Sequence, residues 1–303
     1  MTSVSSGAQR KRFDVNGWLF VGPALVLIAT FMIVPILHSL WMSFQQGRGM
    51  NLTFGGFANF AKLWNDPLFL TALTNTSVFF VVQVPIMLAL ALVMAALLND
   101  PNLRCRGLFR TAIFLPCVTS LVAYSVLFKS MFVTDGIVNS TLMTVGLIGE
   151  PIPWMTDPFW FKVMVIVAIT WRWTGYNMIF YLAAMQNIDR SIYEAARIDG
   201  VPTAARFAFL TVPMLKPVIL FTIVTSTIGT LQLFDEVANL SSGAAAGGAA
   251  GPSNAALTLS LYIYNLTFRF MPSFGYAALV SYVIVFLVAV LSFLQFYVAR
   301  ERD

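Results

Sequence analysis

Six runs of about twenty predominantly apolar residues divide this chain, and a run of that length is what a helix needs to cross the hydrocarbon of a bilayer. They cover residues 19–41, 78–98, 108–131, 161–185, 217–234 and 275–297. Lipid offers no partner to backbone amides and carbonyls, so each run must satisfy its own as a helix. Composition agrees: 58% of the 303 residues are hydrophobic and 10% are charged, against about 25% charged in soluble domains. The sequence predicts an all-α polytopic membrane protein with six transmembrane helices. A polar, basic lead occupies residues 1–14 and one membrane domain occupies 15–303.

Orientation follows from the 18 Lys and Arg residues, because short cytoplasmic loops are enriched in them. One side of the predicted topology receives Arg10, Lys11, Arg12, Arg104, Arg106, Arg110, Arg190, Arg197, Arg206, Lys216, Arg300 and Arg302. The other receives Arg48, Lys62, Lys129, Lys162 and Arg269, and Arg172 falls inside a span. Both termini and the segment 189–213 are therefore expected in the cytoplasm. The same asymmetry accounts for the basic pI of about 9.4 with no nucleic-acid partner. The basic lead and first apolar run imitate a secretory signal, but the run exceeds the usual 7–15 residues and is assigned as the first span.

The segment 189–213 is the one hydrophilic island with internal structure. Ser191 and Glu194 have the spacing of a capping box, which predicts a helix start there. Gly200 suits the left-handed residue that ends a helix, and Pro202-Thr203 suits the opening of a second short one. The helix-turn-helix is expected to close at Pro213, before the next apolar run.

The order Glu194-Ala195-Ala196, three residues, Gly200, nine residues, then Leu210-Thr211-Val212-Pro213 resembles the signature of permease subunits of binding-protein-dependent ABC importers of the carbohydrate class. Leu210 and Val212 depart from the usual Ile-x-Leu-Pro ending but keep its aliphatic character. Gly56-Phe57-Ala58-Asn59-Phe60 is similar to the Gly-x-x-Asn-Phe element of sugar permeases, and Phe234-Asp235 to their Phe-Asp motif. The part from Gly229 to Tyr276 resembles lactose-type permease subunits. The resemblance implies a type I importer permease fold in a bacterial inner membrane. It makes 189–213 a coupling loop whose Glu194, Ala195, Ala196, Gly200 and Pro213 engage an ATP-hydrolysing subunit. It implies as partners a second permease, two ATP-binding subunits and an extracytoplasmic solute-binding protein. ATP and Mg would be used by the ATP-binding subunits, with no cofactor on this chain. The implied cargo is a di- or oligosaccharide, lactose-type by preference, with glycerol-3-phosphate or another polyol as the alternative.

The fourth run carries Trp171-Arg172-Trp173, Tyr176 and Asn177, the most polar and aromatic cluster in any span. An arginine at mid-membrane depth costs at least about 2.5 kcal/mol, so it must face protein, water or a partner. Two roles stay open. Indole faces and guanidinium can line a sugar path, or Arg172 can form an ion pair with Asp235, Glu236 or a partner subunit. Gln232, at the end of the fifth run, is a second candidate contact. Pro116 is expected to bend the third span. The Gly- and Pro-rich stretch 132–160 and the Ala/Gly-rich stretch 241–253 read as irregular external loops. The segment 257–276 reads as interfacial or re-entrant.

No Walker sequence, His-Glu-x-x-His or membrane-embedded carboxylate pair points to an enzyme. Acids fall at or outside span ends, which disfavours an ion-coupled secondary transporter. His38 is the sole histidine, and Cys105 and Cys117 suggest neither a disulfide framework nor a metal site.

Overall fold

In chain order, the computed structural model contains α1 (Gly17–Ser43), a hairpin of β1 (Gln45–Arg48) and β2 (Asn51–Phe54), α2 (Ala58–Trp64), α3 (Pro67–Leu98), α4 (Arg106–Val118) and α5 (Leu121–Phe132). There follow α6 (Ile137–Thr144), α7 (Pro158–Gln186), α8 (Arg190–Ile198), α9 (Thr203–Met214), α10 (Lys216–Leu231), α11 (Asp235–Ser241), α12 (Leu259–Tyr264) and α13 (Phe274–Arg300). Residues 15–49, 51–242 and 250–300 are described. The basic lead 1–14, Arg302 and most of the Ala/Gly-rich stretch lie outside them.

Among the described residues, five segments are long and apolar enough to cross a membrane: α1, α3, Leu121–Thr144, α7 and α13. A sixth exists if α9 and α10, which meet at 71°, form one bent span. The predicted fifth run 217–234 is thus cut at both ends, because Leu215 interrupts the helix before it and the chain leaves helix again after Leu231. The predicted third run 108–131 is two helices. Pro116 offers no amide to the helix, and Thr119 and Ser120 adopt extended torsions between α4 and α5.

Two prolines read as loop formers or left outside a span instead open helices. Asp66 and Asp157 cap α3 and α7 through bonds from Leu68 N at 3.0 Å and Phe159 N at 2.9 Å, with Pro67 and Pro158 in the first turn. The second span therefore starts at Pro67 rather than residue 78. The stretch 132–160 contains α6, whose Asn139 accepts from Trp154 Nε1 at 2.8 Å and is buried. The flank of the Ala/Gly-rich stretch packs too, with Ala250 and Ala256 wholly buried.

The core is built around α7, which lies along α3, α4 and α10. Phe161, Met164, Val165, Ala168 and Met178 are fully enclosed, and Ala91 and Ala95 let α3 approach closely. Asn59 of the Gly-x-x-Asn-Phe element is buried and donates to Ser43 O and Gln45 O at 2.9 and 2.8 Å, fastening α2 to the exit of α1.

At the head of α3, Asp66 also accepts bonds from the hydroxyls of Tyr262 on α12 and Tyr276 on α13, at 2.5 and 2.6 Å. Burial pushes this carboxyl up, but the two hydroxyls and the amides of Phe69 and Leu68 outweigh it and hold the group below the usual carboxylate range. Asp66→Asn keeps a capping oxygen and loses the charge-assisted bonds, each worth about 1.5–3 kcal/mol. A lower melting temperature is expected at pH 7. Because the folded value is depressed, this stabilisation is complete above the unfolded value of about 3.9 and drains away as pH falls through the folded one. The gap between variant and wild type should therefore begin to narrow below pH of about 4 and go on narrowing as pH falls through the folded value, and a gap of constant size would place the effect elsewhere.

Candidate functional site

Two regions carry the predicted site residues. The first is the loop between α7 and α10. Asp189, not Ser191, caps α8: its carboxylate accepts from Ser191 N at 2.9 Å, and the helix starts at Arg190. A carboxylate ranks with or above a hydroxyl as a cap, so the upstream residue wins. Bonds from the Ser191 amide and hydroxyl hold the Asp189 carboxyl below its ordinary range. Glu194 and Ala195 are exposed on α8, Ala196 is buried beneath it, and Ile198 is 86% exposed at its end.

Gly200 has φ of 72°, its amide bonds Arg197 O at 3.1 Å, and Val201 N bonds Ala196 O at 3.0 Å. This pair of bonds is a Schellman stop. α9 starts after Pro202 as expected, but it continues through Pro213 to Met214 and breaks at Leu215. Pro213 lies in the last turn of α9, directly after a π-helical turn over Phe207–Thr211 in which Val212 N bonds Phe207 O. Tyr193 OH and Thr211 Oγ1, 3.0 Å apart, tie α8 back onto α9.

The second region is a cavity of about 360 Å³ between α3, α7 and the junction of α10 with α11. Trp173, Tyr176, Asn177 and Gln232 line it, together with Gln83, Thr230, Asp235 and Glu236. Trp171 and Arg172 do not. Trp171 points the other way, stacking on Tyr124 at a centroid distance of 6.1 Å and meeting the tilted ring of Phe128 at 5.3 Å. Arg172 lies behind the wall. Its Nη1 donates to Pro116 O and Thr119 O at 3.2 and 3.3 Å, and its Nη2 to Cys117 O at 3.4 Å.

α4 ends there, so these carbonyls lack the helical amides that would otherwise pair them; Pro116 O also accepts from Thr119 Oγ1 at 2.8 Å, and a cation is favoured at the negative end of a helix. The guanidinium also meets Glu236, Nε to Oε1 at 3.8 Å, and Trp173 Nε1 donates to the same oxygen at 3.0 Å. The ion pair is buried, with 8% and 9% of the two side chains exposed.

Gln83 escaped the sequence reading although it is the one amide within the second apolar run. It is 2% exposed and accepts from Thr230 Oγ1 at 3.3 Å. A buried amide in a span needs partners, and that requirement was the available signal. Among the described residues, no three His, Cys, Asp or Glu side chains gather as metal ligands. The cavity's chemistry is that of aromatic faces beside amides, hydroxyls and carboxylates, and its volume falls within the range of about 300–1,000 Å³ usual for small-molecule sites.

Residues 52–303 match the model of a family described as the binding-protein-dependent transport system inner membrane component. Over 302 residues, and 100% of both chains, the protein is 70% identical to the lactose transport system permease protein LacF of Rhizobium radiobacter. It is 32% identical over 282 residues to the arabinooligosaccharides transport system permease protein AraP of Halalkalibacterium halodurans, covering 92% of this chain and 86% of that one. A chain from the crystal structure of a bacterial ABC transporter that imports the acidic polysaccharide alginate shares the fold at 22% identity. Its TM-score is 0.80, with 95% of this chain and 96% of that one covered. The apolar helices, the helix-turn-helix between α7 and α10 and these likenesses agree: the chain belongs to the binding-protein-dependent transport system inner membrane components.

Proposed function

We propose that the chain is one of two permease subunits of an ATP-driven importer for a lactose-type disaccharide. The observation that carries this is the 70% identity, over the whole of both chains, to a lactose transport permease. Two ATP-binding subunits hydrolyse ATP with Mg as cofactor, a solute-binding protein delivers the sugar from outside, and this chain binds no cofactor. Both termini and the loop 189–213 face the cytoplasm. Glu194, Ala195, Ala196 and Gly200 pass the closing motion of the ATP-binding subunits to the spans. ATP and loaded binding protein each favour one of two pathway states, since an effector without differential affinity shifts nothing.

Trp173, Tyr176, Asn177 and Gln232 are the path residues this proposal retains from the polar cluster. Their rings can lie on sugar faces while the amides meet hydroxyls. A polyol phosphate fits less well: the cavity lining includes Asp235 and Glu236, and Arg172 is turned onto the carbonyls of α4.

Uptake of labelled lactose by cells that hold the ATP-binding subunits and binding protein, with and without this chain, tests the proposal. Uptake should fall to background without it. Undiminished lactose entry, with another sugar lost instead, would reassign the cargo.

A further inference from the structure

The loop 189–213 joins the ends of α7 and α10, and the cavity lies about halfway along α7 and at the far end of α10. The loop leaves α7 at Gln186 and enters α10 at Lys216. Between Arg172 and Gln186 α7 rises about 21 Å, and α10 rises about 22 Å from Lys216 to Leu231, so two legs of similar length run from loop to cavity. At the far end one leg offers Arg172 and the chain just beyond the other offers Glu236, and these side chains meet. The loop closes one end of a frame and the ion pair closes the other.

Arg172 reaches further. Its bonds to Pro116, Cys117 and Thr119 hold the break between α4 and α5, while Glu236 sits in the first turn after the break between α10 and α11. Interruptions of this kind are where a span can bend instead of moving as one body. One guanidinium on the uninterrupted α7 therefore touches both joints.

We propose that Arg172 is a positioning residue that, through Glu236, closes a frame of α7, the coupling loop and α10, so that displacement of the loop moves the cavity wall instead of bending α10. This rests on the loop being where the ATP-driven motion enters. A role confined to capping α4 would need only the three carbonyls. Glu236→Gln separates the two, because it removes the ionic tie and leaves those carbonyls bonded.

The test is the complete importer in proteoliposomes, with its partner permease, ATP-binding subunits and binding protein, supplied with labelled lactose. ATP hydrolysed per lactose moved is measured for wild type, Glu236→Gln, Arg172→Lys and Gly200→Val. The ratio should rise about fivefold or more in Glu236→Gln at normal assembly, the lower end of ordinary coupling effects. Arg172→Lys, which cannot fork onto carbonyls and carboxylate together, should raise it as well. A wild-type ratio in Glu236→Gln while Gly200→Val uncouples would overturn the frame and leave the loop's role standing. A wild-type ratio in Gly200→Val would remove the loop's role and the frame with it. Should the charge variants fail to assemble, spin labels at Ser120 and Gln232 in otherwise wild-type protein decide. Their separation should not change between nucleotide-free and ATP-trapped complexes, and a change would overturn the proposal.

Discussion

Gly200→Val should loosen the hold on the ATP-binding subunits and cut uptake several-fold or more while the spans stay in place. A side chain at this position would meet nothing within 4 Å, so crowding is not the cause. The cost lies in the backbone. Left-handed torsions cost an L-residue about 1–2 kcal/mol, and a β-branched residue adopts them least readily. At about 1.4 kcal/mol for each factor of ten, the correct turn becomes at least several-fold rarer. The turn sets how α8 lies against α9: the Schellman bonds of Gly200 and Val201 close the end of α8 and aim the chain into α9, and the Tyr193–Thr211 contact ties the two helices. If the substituted valine escapes to an extended torsion, α8 swings away with Glu194 and Ile198. Gly200→Asn, which tolerates the left-handed region, should recover much of the function. Copurification of the ATP-binding subunits and lactose uptake measure both variants. Undiminished values in Gly200→Val would show that the turn has no part in docking.

Much of this loop was legible because its signals are local. A glycine one short helix beyond a cap, with a proline soon after it, has few other uses. The misplaced start has an equally local reason: Ser191 satisfied a spacing rule, but Asp189 stood closer to the true end and carried a stronger acceptor. Pro158 misled for a related cause. The residue type marks both irregular turns and first helical turns, and Asp157 before it decides between them. Hydropathy located the spans but not their interruptions. At the break Thr119–Ser120, the local Thr119 hydroxyl bonds Pro116 O, but the donors to Cys117 O and Thr119 O come from Arg172, distant in sequence. No window centred on 108–131 contains that information. In the polar cluster of α7, residue type identified the depth and rarity of Arg172, but helical rotation decided the rest. Trp173, Tyr176 and Asn177 turn toward the cavity, and Trp171 turns toward Tyr124.

Gly175 should be the least replaceable residue of α7. A Cβ built there would lie 2.0 Å from Ile113 O and 2.7 Å from Ile113 C, both backbone atoms of α4. A side chain can rotate away, but a helix backbone cannot, so any substitution must push the two helices apart. Close approach through small residues is a principal means by which helices associate in lipid. Overpacking costs about 1–3 kcal/mol where side chains can rearrange, and a backbone collision leaves less room for that. Gly175→Ala should lower the melting temperature, and Gly175→Leu should yield no assembled complex. The displacement has a second effect, since Arg172 lies one turn away and reaches Pro116, Cys117 and Thr119 only while α4 stays close. Transport in Gly175→Ala should therefore fall further than the amount of assembled complex. Gly107→Ala is the control: it sits on α4 with nothing within 4 Å, and it should be neutral or stabilising because alanine favours helix by about 1 kcal/mol. Equal melting temperatures for Gly175→Leu and wild type would mean that the two helices do not cross at this glycine.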